Sequence, residues 1–461
     1  MKTMILEIYQ TLMRKGAGIK KQDKHWFRNK VKAFNILKRT ELHSKSRNVK
    51  KVDRITLTYG SDETTEIDES DLCGANKPPL EDANAYVRRG NYHFFSNNYD
   101  KANEYYSNAI KINPDVAKAY YNLGVIYTEL KQYERAILYY SKTIHIDPNS
   151  MKAYHNRGCS YSSLGYYDKA IADHSKSIQI DAKCALSYFT RGRTYFEIGN
   201  YDKALKDYSI AIEIDPKYFQ AYEGRGNIHI ILGQNNHAIA DFSRAISINP
   251  TNSVVYNNRG ASYDNIGEYE LALSDFSTAI DINPDYAQAF CNRGNTYAKL
   301  QHYEDAIENQ SMAIGINPKY TDAYYVRGSS YSKVGNFKKA ISDFSQVIEI
   351  DPNYTDAYRY RGCTFTIVGQ YEKAIKDFLK VIDYKPKDAY VLYNLGSVYG
   401  KLEQYKMAIK YYSKAIRIDS KNHHAYYSRG LAYLKLEKIE SAIWDHSIWL
   451  EMFKKNIPSS K

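Results

Sequence analysis

Residues Tyr256 to Pro284 read YNNRGASYDNIGEYELALSDFSTAIDINP, and close relatives of this segment recur before and after it. The spacing between relatives is 34 residues, or twice 34, and it is visible from the prolines alone. These lie at Pro114, Pro148, Pro216, Pro250, Pro284, Pro318, Pro352 and Pro386. A fixed period of this length indicates a repeat array, so the chain of 461 residues is not read as several separate globular domains.

Eleven copies of the repeat follow one another when positions are numbered so that the recurring proline is position 32. They start at Ala83, Ala117, Met151, Ala185, Phe219, Ser253, Ala287, Thr321, Thr355, Ala389 and His423. Position 8 is glycine and position 20 is alanine in all eleven, and aromatic residues recur at positions 4, 11, 17 and 24. These spacings are helical within each half, and the frequent glycine at position 15 interrupts them. Each repeat is therefore predicted to be two antiparallel helices.

Packing between the two helices of a repeat explains the invariant residues. If the helices fold back about position 16, residues whose positions sum to about 31 or 32 face each other. In the sixth repeat Gly260 then faces Phe276, and Tyr263 faces Ala272. A large side chain opposite a small one fills the interface without voids. Because glycine inside a helix costs about 1 kcal/mol, its presence in every repeat predicts a close approach of the second helix.

The pattern resembles the tetratricopeptide repeat: an aromatic residue at position 4, glycine at 8, tyrosine at 11, alanine at 20, an aromatic residue at 24, alanine at 27 and proline at 32. The resemblance covers about four fifths of the chain. It implies an all-α fold, a right-handed α-α superhelix of about eleven helix-turn-helix repeats over residues 83–456. The chain departs from the family pattern at position 7, where nine repeats have arginine instead of leucine, and at Ala182, Ser420 and Lys454, which replace the proline.

The last repeat differs from the family in a second way, since the extra helix that usually closes such arrays is not expected here. Its second helix carries Trp444, Trp449, Leu450 and Phe453. Two interpretations stay open. These side chains either cap the final helix pair directly or form a surface for docking or self-association.

Positions 7 and 23 change together along the chain. Seven repeats pair arginine with aspartate: Arg157 with Asp173, Arg191 with Asp207, Arg225 with Asp241, Arg259 with Asp275, Arg327 with Asp343, Arg361 with Asp377 and Arg429 with Asp445. Two repeats instead have leucine with tyrosine, namely Leu123 with Tyr139 and Leu395 with Tyr411. The remaining two fit neither set, with Arg89 and Tyr105, and Arg293 and Asn309. We predict structural ion pairs between arginine and aspartate, and the alternative is a basic ligand-binding stripe.

The net charge of +12 is unevenly distributed, because residues 1–54 alone carry +12, residues 55–82 carry −7 and the residues from Ala83 onward carry +7. Residues 1–54 carry 16 Lys and Arg against four acidic residues, which predicts a basic N-terminal arm. Residues 55–82 carry eight acidic residues against Lys77, which predicts an acidic, disordered linker. Residues 457–461 form a short C-terminal tail. Within the arm, residues 24–39 have the spacing of a calmodulin target or of a helix with weak affinity for an anionic surface, although a disordered basic tail is the simpler interpretation.

The cysteine and histidine patterns give no sign of catalysis. Five cysteines include no CxxC pair and no zinc spacing, which predicts a reduced protein in the cytoplasm, with the nucleus as the alternative. No secretory signal and no run of about 18 apolar residues is found, so no membrane span is predicted. Nucleotide-binding and hydrolase fingerprints are missing as well. We therefore expect no catalytic residues, no cofactor and no metal site.

The family resemblance also implies a binding surface on the first helices, at positions 2, 5, 6, 9, 12 and 13. Position 6 is asparagine at Asn122, Asn156, Asn258, Asn292 and Asn394. The array is similar to the peptide-holding arm of O-linked N-acetylglucosamine transferases, where asparagines hold a peptide backbone. An amide suits this task because it donates and accepts at once, and plain surface asparagines are the alternative. Neighbouring side chains that would select the partner's side chains are Tyr121, Tyr325, Arg359 and Tyr393.

A second kind of binding site in the family is a clamp for terminal carboxylates. This sequence matches the clamp only in part. Asn91, Asn122 and Lys152 occupy three of its five positions, but Val87 and Asn156 occupy the other two. Position 13 also supplies lysines, which would favour acidic segments of a partner, although solvated surface charges are the simpler interpretation. These are Lys299, Lys333, Lys401 and Lys435.

The sequence therefore predicts a non-enzymatic scaffold or adaptor that binds peptides or partner proteins in the groove of the array. One alternative is the solenoid arm of a multi-subunit enzyme complex, either glycosyltransferase-like or chaperone-associated. A weaker alternative is an RNA-binding helical repeat protein. The charges of the repeats form no continuous basic stripe, so no specific nucleic-acid partner is expected.

Overall fold

The computed structural model describes residues 82–455, with side chains described as far as Met452. The predicted basic arm with its residues 24–39, the acidic linker before Asp82 and the C-terminal tail lie outside the described residues. Asp82 itself accepts a hydrogen bond from the backbone N–H of Ala85 at 2.7 Å. This residue therefore caps the first helix, which satisfies one of the backbone donors that a helix start leaves unpaired.

The described residues form helices and connecting turns with no strand, and they divide into two compact blocks. The N-terminal block, up to Pro250, contains α1 (Ala83–Phe95), α2 (Tyr99–Ile112), α3 (Ala117–Glu129), α4 (Tyr133–Ile146), α5 (Met151–Ser163), α6 (Tyr167–Ile180), α7 (Ala185–Glu197), α8 (Tyr201–Ile214), α9 (Phe219–Ile231) and α10 (Asn235–Ile248). The C-terminal block, from Thr251, contains α11 (Ser253–Ile266), α12 (Tyr269–Ile282), α13 (Ala287–Lys299), α14 (Tyr303–Ile316), α15 (Thr321–Lys333), α16 (Phe337–Ile350), α17 (Thr355–Ile367), α18 (Tyr371–Tyr384), α19 (Ala389–Lys401), α20 (Tyr405–Ile418), α21 (His423–Lys435) and α22 (Ile439–Lys455). Each of the eleven predicted repeats thus holds two helices, and the predicted all-α repeat solenoid is confirmed. None of these helices has the length and apolar content that crossing a membrane requires.

The two helices of every repeat are joined by a turn in which position 15 has a positive φ. Glycine occupies this position six times, for example Gly267 with a φ of 90°. The other occupants have φ between 56° and 63° and are Asn97, Lys131, Gln301, Glu403 and Glu437. Left-handed backbone suits glycine and is costly for residues with a Cβ atom. The turn geometry is therefore common to all repeats even where glycine is missing, which confirms the predicted interruption between the helices.

The predicted match between glycine at position 8 and a large side chain at position 24 is confirmed. A Cβ atom added to Gly260 would lie 2.8 Å from Cε1 of Phe276, and one added to Gly90 would lie 2.4 Å from Cε1 of Tyr106. The alanine at position 20 is 0% exposed in ten repeats, and Ala442 in the last repeat is 1% exposed. The two helices therefore approach so closely that neither position has room for a larger residue.

Consecutive repeats pack through positions 27 and 3. Ser177 and Ser187 occupy these positions in the third and fourth repeats, and their hydroxyl oxygens lie 2.8 Å apart. Most other repeats have alanine or valine there, so within each block the second helix of one repeat lies close to the first helix of the next. The core is accordingly a series of local clusters, such as the one that contains Phe378, Leu395 and Ala415.

All seven predicted pairs between arginine and aspartate are present. Arg191 donates from Nε and Nη2 to the two carboxylate oxygens of Asp207, both at 2.8 Å. Its Nη1 donates to the hydroxyl of Ser175 in the preceding repeat at 3.0 Å, a partner that the sequence analysis does not identify. In the seventh repeat Arg293 donates to Oδ1 of Asn309 at 2.7 Å instead. The arginines therefore serve the structure, and Arg191 also joins two consecutive repeats through Ser175.

Repeats with tyrosine at position 23 stack it on the aromatic residue at position 11. Tyr139 stacks on Tyr127 with ring centroids 5.2 Å apart and planes within 2° of parallel. Tyr411 in the tenth repeat makes the same contact, and Tyr105 in the first repeat stacks on His93 at 5.2 Å. A stacked aromatic pair thus takes the place of the ion pair at position 23, and in the first repeat it does so although position 7 keeps Arg89.

Helix α22 of the last repeat bears on the two interpretations that the sequence leaves open. Trp449 lies against Tyr427, with ring centroids 5.1 Å apart. It occupies position 27, where every other repeat has alanine, serine, threonine or valine, so its indole covers the face on which a further first helix would pack. Ile443 and Trp444, by contrast, are 63% and 67% exposed. Capping by Trp449 therefore has structural support, docking on the exposed patch stays a prediction, and the side chain of Phe453 lies outside the described part.

Candidate peptide-binding surface

The five predicted asparagines lie on the first helices of their repeats. They are Asn122 on α3, Asn156 on α5, Asn258 on α11, Asn292 on α13 and Asn394 on α19. Asn156 and Asn258 are buried, and the other three are half-buried. Their side chains are therefore less available to a partner than the resemblance implies.

Several of these amides bond within the array. Asn156 donates from Nδ2 to the hydroxyl of Tyr121 at 3.0 Å, and Asn292 donates to Oδ1 of Asn257 at 2.9 Å. Both acceptors belong to the preceding repeat, so the amides link consecutive first helices. A bound peptide would have to replace these bonds or use the Oδ1 atoms, and the peptide-holding role of the asparagines stays a prediction.

The positions of the carboxylate clamp are also occupied by internal bonds. Oδ1 of Asn91 accepts from Nδ2 of Asn122 and from the hydroxyl of Tyr106, both at 2.8 Å. Val87, which stands where the clamp needs lysine, is 3% exposed and belongs to an apolar cluster. These side chains therefore hold the first two repeats together in place of a carboxylate site.

Tyr121 supports the first-helix surface of the N-terminal block. Its ring centroid lies 5.8 Å from that of Tyr140, and its hydroxyl accepts the bond from Asn156. Burial raises the pKa of Tyr121 to about 12, and the hydrogen bond from Asn156 opposes this only in part. The phenol therefore stays neutral at physiological pH, with its oxygen engaged by the next repeat.

In the C-terminal block, three predicted residues come together with two that the sequence analysis does not name. Tyr325 on α15 lies against Tyr360 on α17, with ring centroids 5.6 Å apart. The guanidinium carbon of Arg359 is 5.1 Å from the ring centroid of Tyr360. Tyr390 and Asn394 lie on α19, the next first helix, and the charge of Arg359 acts on Tyr390. We call these five residues the tyrosine–arginine patch.

The patch is open to solvent at its α17 and α19 side. Tyr390 is 55% exposed and Tyr360 is 38% exposed. The hydroxyl of Tyr390 lies 4.0 Å from Sγ of Cys363, which joins α19 to α17. Nδ2 of Asn394 donates to the backbone carbonyl of Tyr390 at 3.0 Å. Polar groups are thus spread along an exposed aromatic surface.

The charge of the patch comes from Arg359. It pairs with Asp356, one turn earlier on α17, at 3.0 Å, and the two side chains are 30% and 43% exposed. Burial opposes the charge of Arg359, but Asp356 and the nearby phenols outweigh burial and raise its pKa. Burial raises the pKa of Tyr325, as do the phenols of Tyr360 and Tyr354. At neutral pH the patch therefore presents one guanidinium among neutral phenols.

Other predicted residues contribute less to this surface. Tyr393 is half-buried, with its ring centroid 5.7 Å from that of Tyr412. Lys299 is bonded to Asp264 on the preceding first helix. No group of three or more His, Cys, Asp or Glu between residues 82 and 455 is placed to hold a metal ion.

Sequence reasoning missed Tyr360 and Tyr390, although each carries a signal. Tyr360 is the aromatic residue at position 6, where five repeats have asparagine, and Tyr390 is the tyrosine at position 2, where most repeats have polar or aliphatic residues. A search for departures from the repeat pattern on the first helices would have found both. The invariant positions alone cannot identify them, because binding surfaces vary where the scaffold does not.

Family models of the tetratricopeptide repeat match most of the helical region. Two models described as tetratricopeptide repeat match residues 117–150, 321–354 and 389–422, and residues 152–184 and 287–320. A third, described as TPR repeat, matches residues 83–131, 192–230, 226–267, 265–301 and 362–403. No curated protein matches the chain.

Several solved structures are similar to parts of the chain. YrrB, described as a TPR protein with an unusual peptide-binding site, is 26% identical, and the match covers 40% of this chain and 95% of YrrB with a TM-score of 0.37. A tetratricopeptide repeat protein from Parabacteroides merdae is 19% identical, with coverage of 54% and 98% and a TM-score of 0.41. MamA is 24% identical, with coverage of 36% and 96% and a TM-score of 0.34. Because the family models together match more than half of its residues, the chain belongs to the tetratricopeptide repeat family.

Proposed function

We propose that this protein is a non-enzymatic interaction scaffold, which binds an extended segment of a partner protein on its first helices. Proteins of this family generally mediate protein–protein interactions. The observation that carries the proposal for this chain is the tyrosine–arginine patch, where Tyr390 is 55% exposed and lies within the electrostatic influence of Arg359. Tyrosine and arginine are the residue types that most often dominate binding energy at protein interfaces.

The chemistry of the patch favours a partner segment that carries a carboxylate next to an aromatic or aliphatic residue. A guanidinium can bind a carboxylate with two parallel hydrogen bonds. Its present partner, Asp356, forms an exposed pair three residues away on the same helix, and such pairs contribute little. A carboxylate of the partner can therefore join or replace Asp356, while the exposed faces of Tyr360 and Tyr390 pack against apolar side chains.

Of the five predicted asparagines, Asn394 is the one that we expect to bind the backbone of the partner. Its Nδ2 donates to a backbone carbonyl of its own helix, so a peptide carbonyl can replace that bond without disturbing another repeat. The resemblance to the peptide-holding arm of O-linked N-acetylglucosamine transferases enters only here, as part of the proposal. The four described cysteines are free thiols, which supports a reducing compartment such as the cytoplasm.

Selection of peptides from a random display library on the immobilised full-length chain tests the proposal. We expect enriched sequences to contain Asp or Glu beside an aromatic or aliphatic residue, and their binding to weaken as salt is added. Elution of the same peptides from an unrelated helical repeat protein controls for unspecific capture. Enrichment of basic peptides, or no enrichment above that control, contradicts the proposal.

A further inference from the structure

Cys159 and His155 make a contact that neither the repeat pattern nor the proposed binding surface explains. Both lie on α5 one turn apart, and Sγ of Cys159 is 3.7 Å from Nε2 of the imidazole. His155 is 6% exposed, whereas Cys159 is a half-buried residue whose sulfur is not in a disulfide. A thiol beside an imidazole that can take its proton is the arrangement from which nucleophilic thiolates arise.

Charged and titratable groups from neighbouring helices face this pair. They are Tyr140, His174, Arg193 and Tyr218. The positive charge of Arg193 on α7 acts on both Cys159 and His155. Burial raises the pKa of each of the two phenols, so they bring no negative charge at neutral pH. The surroundings of the sulfur are therefore positive.

The protonation of the pair follows from these charges. Burial alone would raise the pKa of the Cys159 thiol, but the charge and hydrogen bond of His155 together with Arg193 outweigh burial and lower it. Burial would lower the pKa of His155, yet the sulfur raises it. His174 does not compete for the proton, because burial and the charge of His155 hold its pKa well below the ordinary value. The pKa of the thiol and that of the imidazole thus shift toward each other, which favours transfer of the proton to the imidazole.

The imidazole also has an unused polar atom. Nδ1 of His155 is buried and has no hydrogen-bond partner among residues 82–455. In the imidazolium form this atom is a donor. Because buried donors are normally paired, this atom marks the imidazole as a group that the packing of the repeat does not satisfy.

We propose that Cys159 and His155 form a thiolate–imidazolium pair, and that this pair makes Cys159 a site of oxidation by hydroperoxides. The sulfur attacks the terminal oxygen of the hydroperoxide, so that an S–O bond forms and the O–O bond breaks. The sulfur gives up two electrons and becomes a sulfenic acid. The leaving oxygen takes the proton from Nε2 of His155 and departs as water or as an alcohol. The proposal does not depend on partner binding.

The chain contains a matched control in Cys363 on α17. It is likewise a half-buried residue whose sulfur is not in a disulfide, but its neighbour is the hydroxyl of Tyr390 at 4.0 Å. Burial raises the pKa of Cys363, against the weaker opposing effects of Tyr390 and Arg359. Its thiolate fraction at neutral pH is therefore smaller than that of Cys159.

Trapping of sulfenic acid tests the proposal on the reduced full-length chain. Substoichiometric hydrogen peroxide is added at about pH 6.5, near the ordinary pKa of histidine, and dimedone adducts are quantified for each cysteine by mass spectrometry. We expect Cys159 to be labelled about tenfold faster than Cys363. His155→Asn should reduce this rate to that of Cys363, and Arg193→Met, an exposed change on α7, should reduce it in part.

Equal labelling of Cys159 and Cys363 in the parent chain overturns the proposal. Undiminished labelling in a folded His155→Asn chain does the same, since the imidazole would then be irrelevant to the thiol. If His155→Asn prevents folding, the Arg193→Met variant provides the test. Labelling of Cys159 in that variant at the parental rate would contradict the positive surroundings on which the proposal rests.

Discussion

Arg361 donates to both carboxylate oxygens of Asp377, at 2.8 and 2.7 Å, while Asp377 is 5% exposed. Burial raises the pKa of Asp377 even though Arg361 opposes the shift. The loss of water around this carboxylate therefore outweighs its attraction to the guanidinium. Such a pair adds little net stability, but removal of one partner leaves a buried charge.

The first prediction compares this ion pair with the leucine and tyrosine that two other repeats have at the same positions. Arg361→Leu should reduce the free energy of unfolding by about 3 kcal/mol, because Asp377 then has no cation. Arg361→Leu combined with Asp377→Tyr copies Leu395 and Tyr411 and should recover most of that loss. Urea unfolding of the parent, both single variants and the double variant measures the coupling. Additive effects of the two changes would show that these residues do not interact energetically.

A second prediction concerns acid stability. Burial lowers the pKa of His174 well below 6.5, and the charge of His155 lowers it further. The folded state thus binds this proton more weakly than the unfolded state, so stability is complete above about pH 6.5 and falls below it, by at most about 1.4 kcal/mol per pH unit. His174→Phe, which copies Phe242 at the same position, should flatten the dependence of the unfolding free energy on pH between about pH 7 and pH 5.

His145→Gln serves as the control for this measurement, because His145 is exposed and should leave the slope unchanged. Urea unfolding of the parent and of both variants at several pH values gives the slopes. An equal slope for His174→Phe and the parent would mean that His174 is protonated as easily in the folded as in the unfolded chain.

A third prediction compares two glycines in helices of the C-terminal block. A Cβ atom added to Gly362 would lie 2.8 Å from Cε1 of Phe378, whereas one added to Gly315 would have no atom within 4 Å. Gly362→Ala should therefore destabilise the protein by about 1–3 kcal/mol through overpacking. Gly315→Ala should stabilise it by about 0.5–1 kcal/mol through helix propensity. Thermal unfolding of the parent and of both variants measures these changes in stability. Equal effects of the two changes would refute the close packing at position 8.

The fold and the contacts within a repeat were predictable from sequence. The repeat pattern occurs eleven times, and it contains both residues of each such contact. Gly260 with Phe276 and Arg191 with Asp207 are pairs of this kind. The bond from Arg191 to Ser175 was not predictable, since the pattern of one repeat does not show how far the next lies. The tyrosine–arginine patch could not be predicted for a related reason. It consists of residues in neighbouring repeats that depart from the repeat pattern.

A fourth prediction separates structural asparagines from those available to a partner. Asn156 is 5% exposed and donates to Tyr121 of the preceding repeat at 3.0 Å. Asn156→Ala should cost about 1–2 kcal/mol of unfolding free energy, because the buried hydroxyl of Tyr121 loses its donor. Asn394→Ala should change it by less than about 0.5 kcal/mol, since its bond stays within one helix and alanine is the better helix former. Equal costs in denaturant unfolding would contradict this division.

The decisive measurement is the affinity of a selected acidic peptide for variants of the tyrosine–arginine patch, determined by isothermal titration calorimetry. Tyr390 and Tyr166 are matched in type and in exposure, both at 55%, but only Tyr390 belongs to the patch. We predict that Tyr390→Ala and Arg359→Ala each weaken binding by about 1–3 kcal/mol, while Tyr166→Ala leaves the affinity unchanged. Unchanged affinity in both patch variants, or an equal loss in Tyr166→Ala, would contradict the assignment of peptide binding to these first helices.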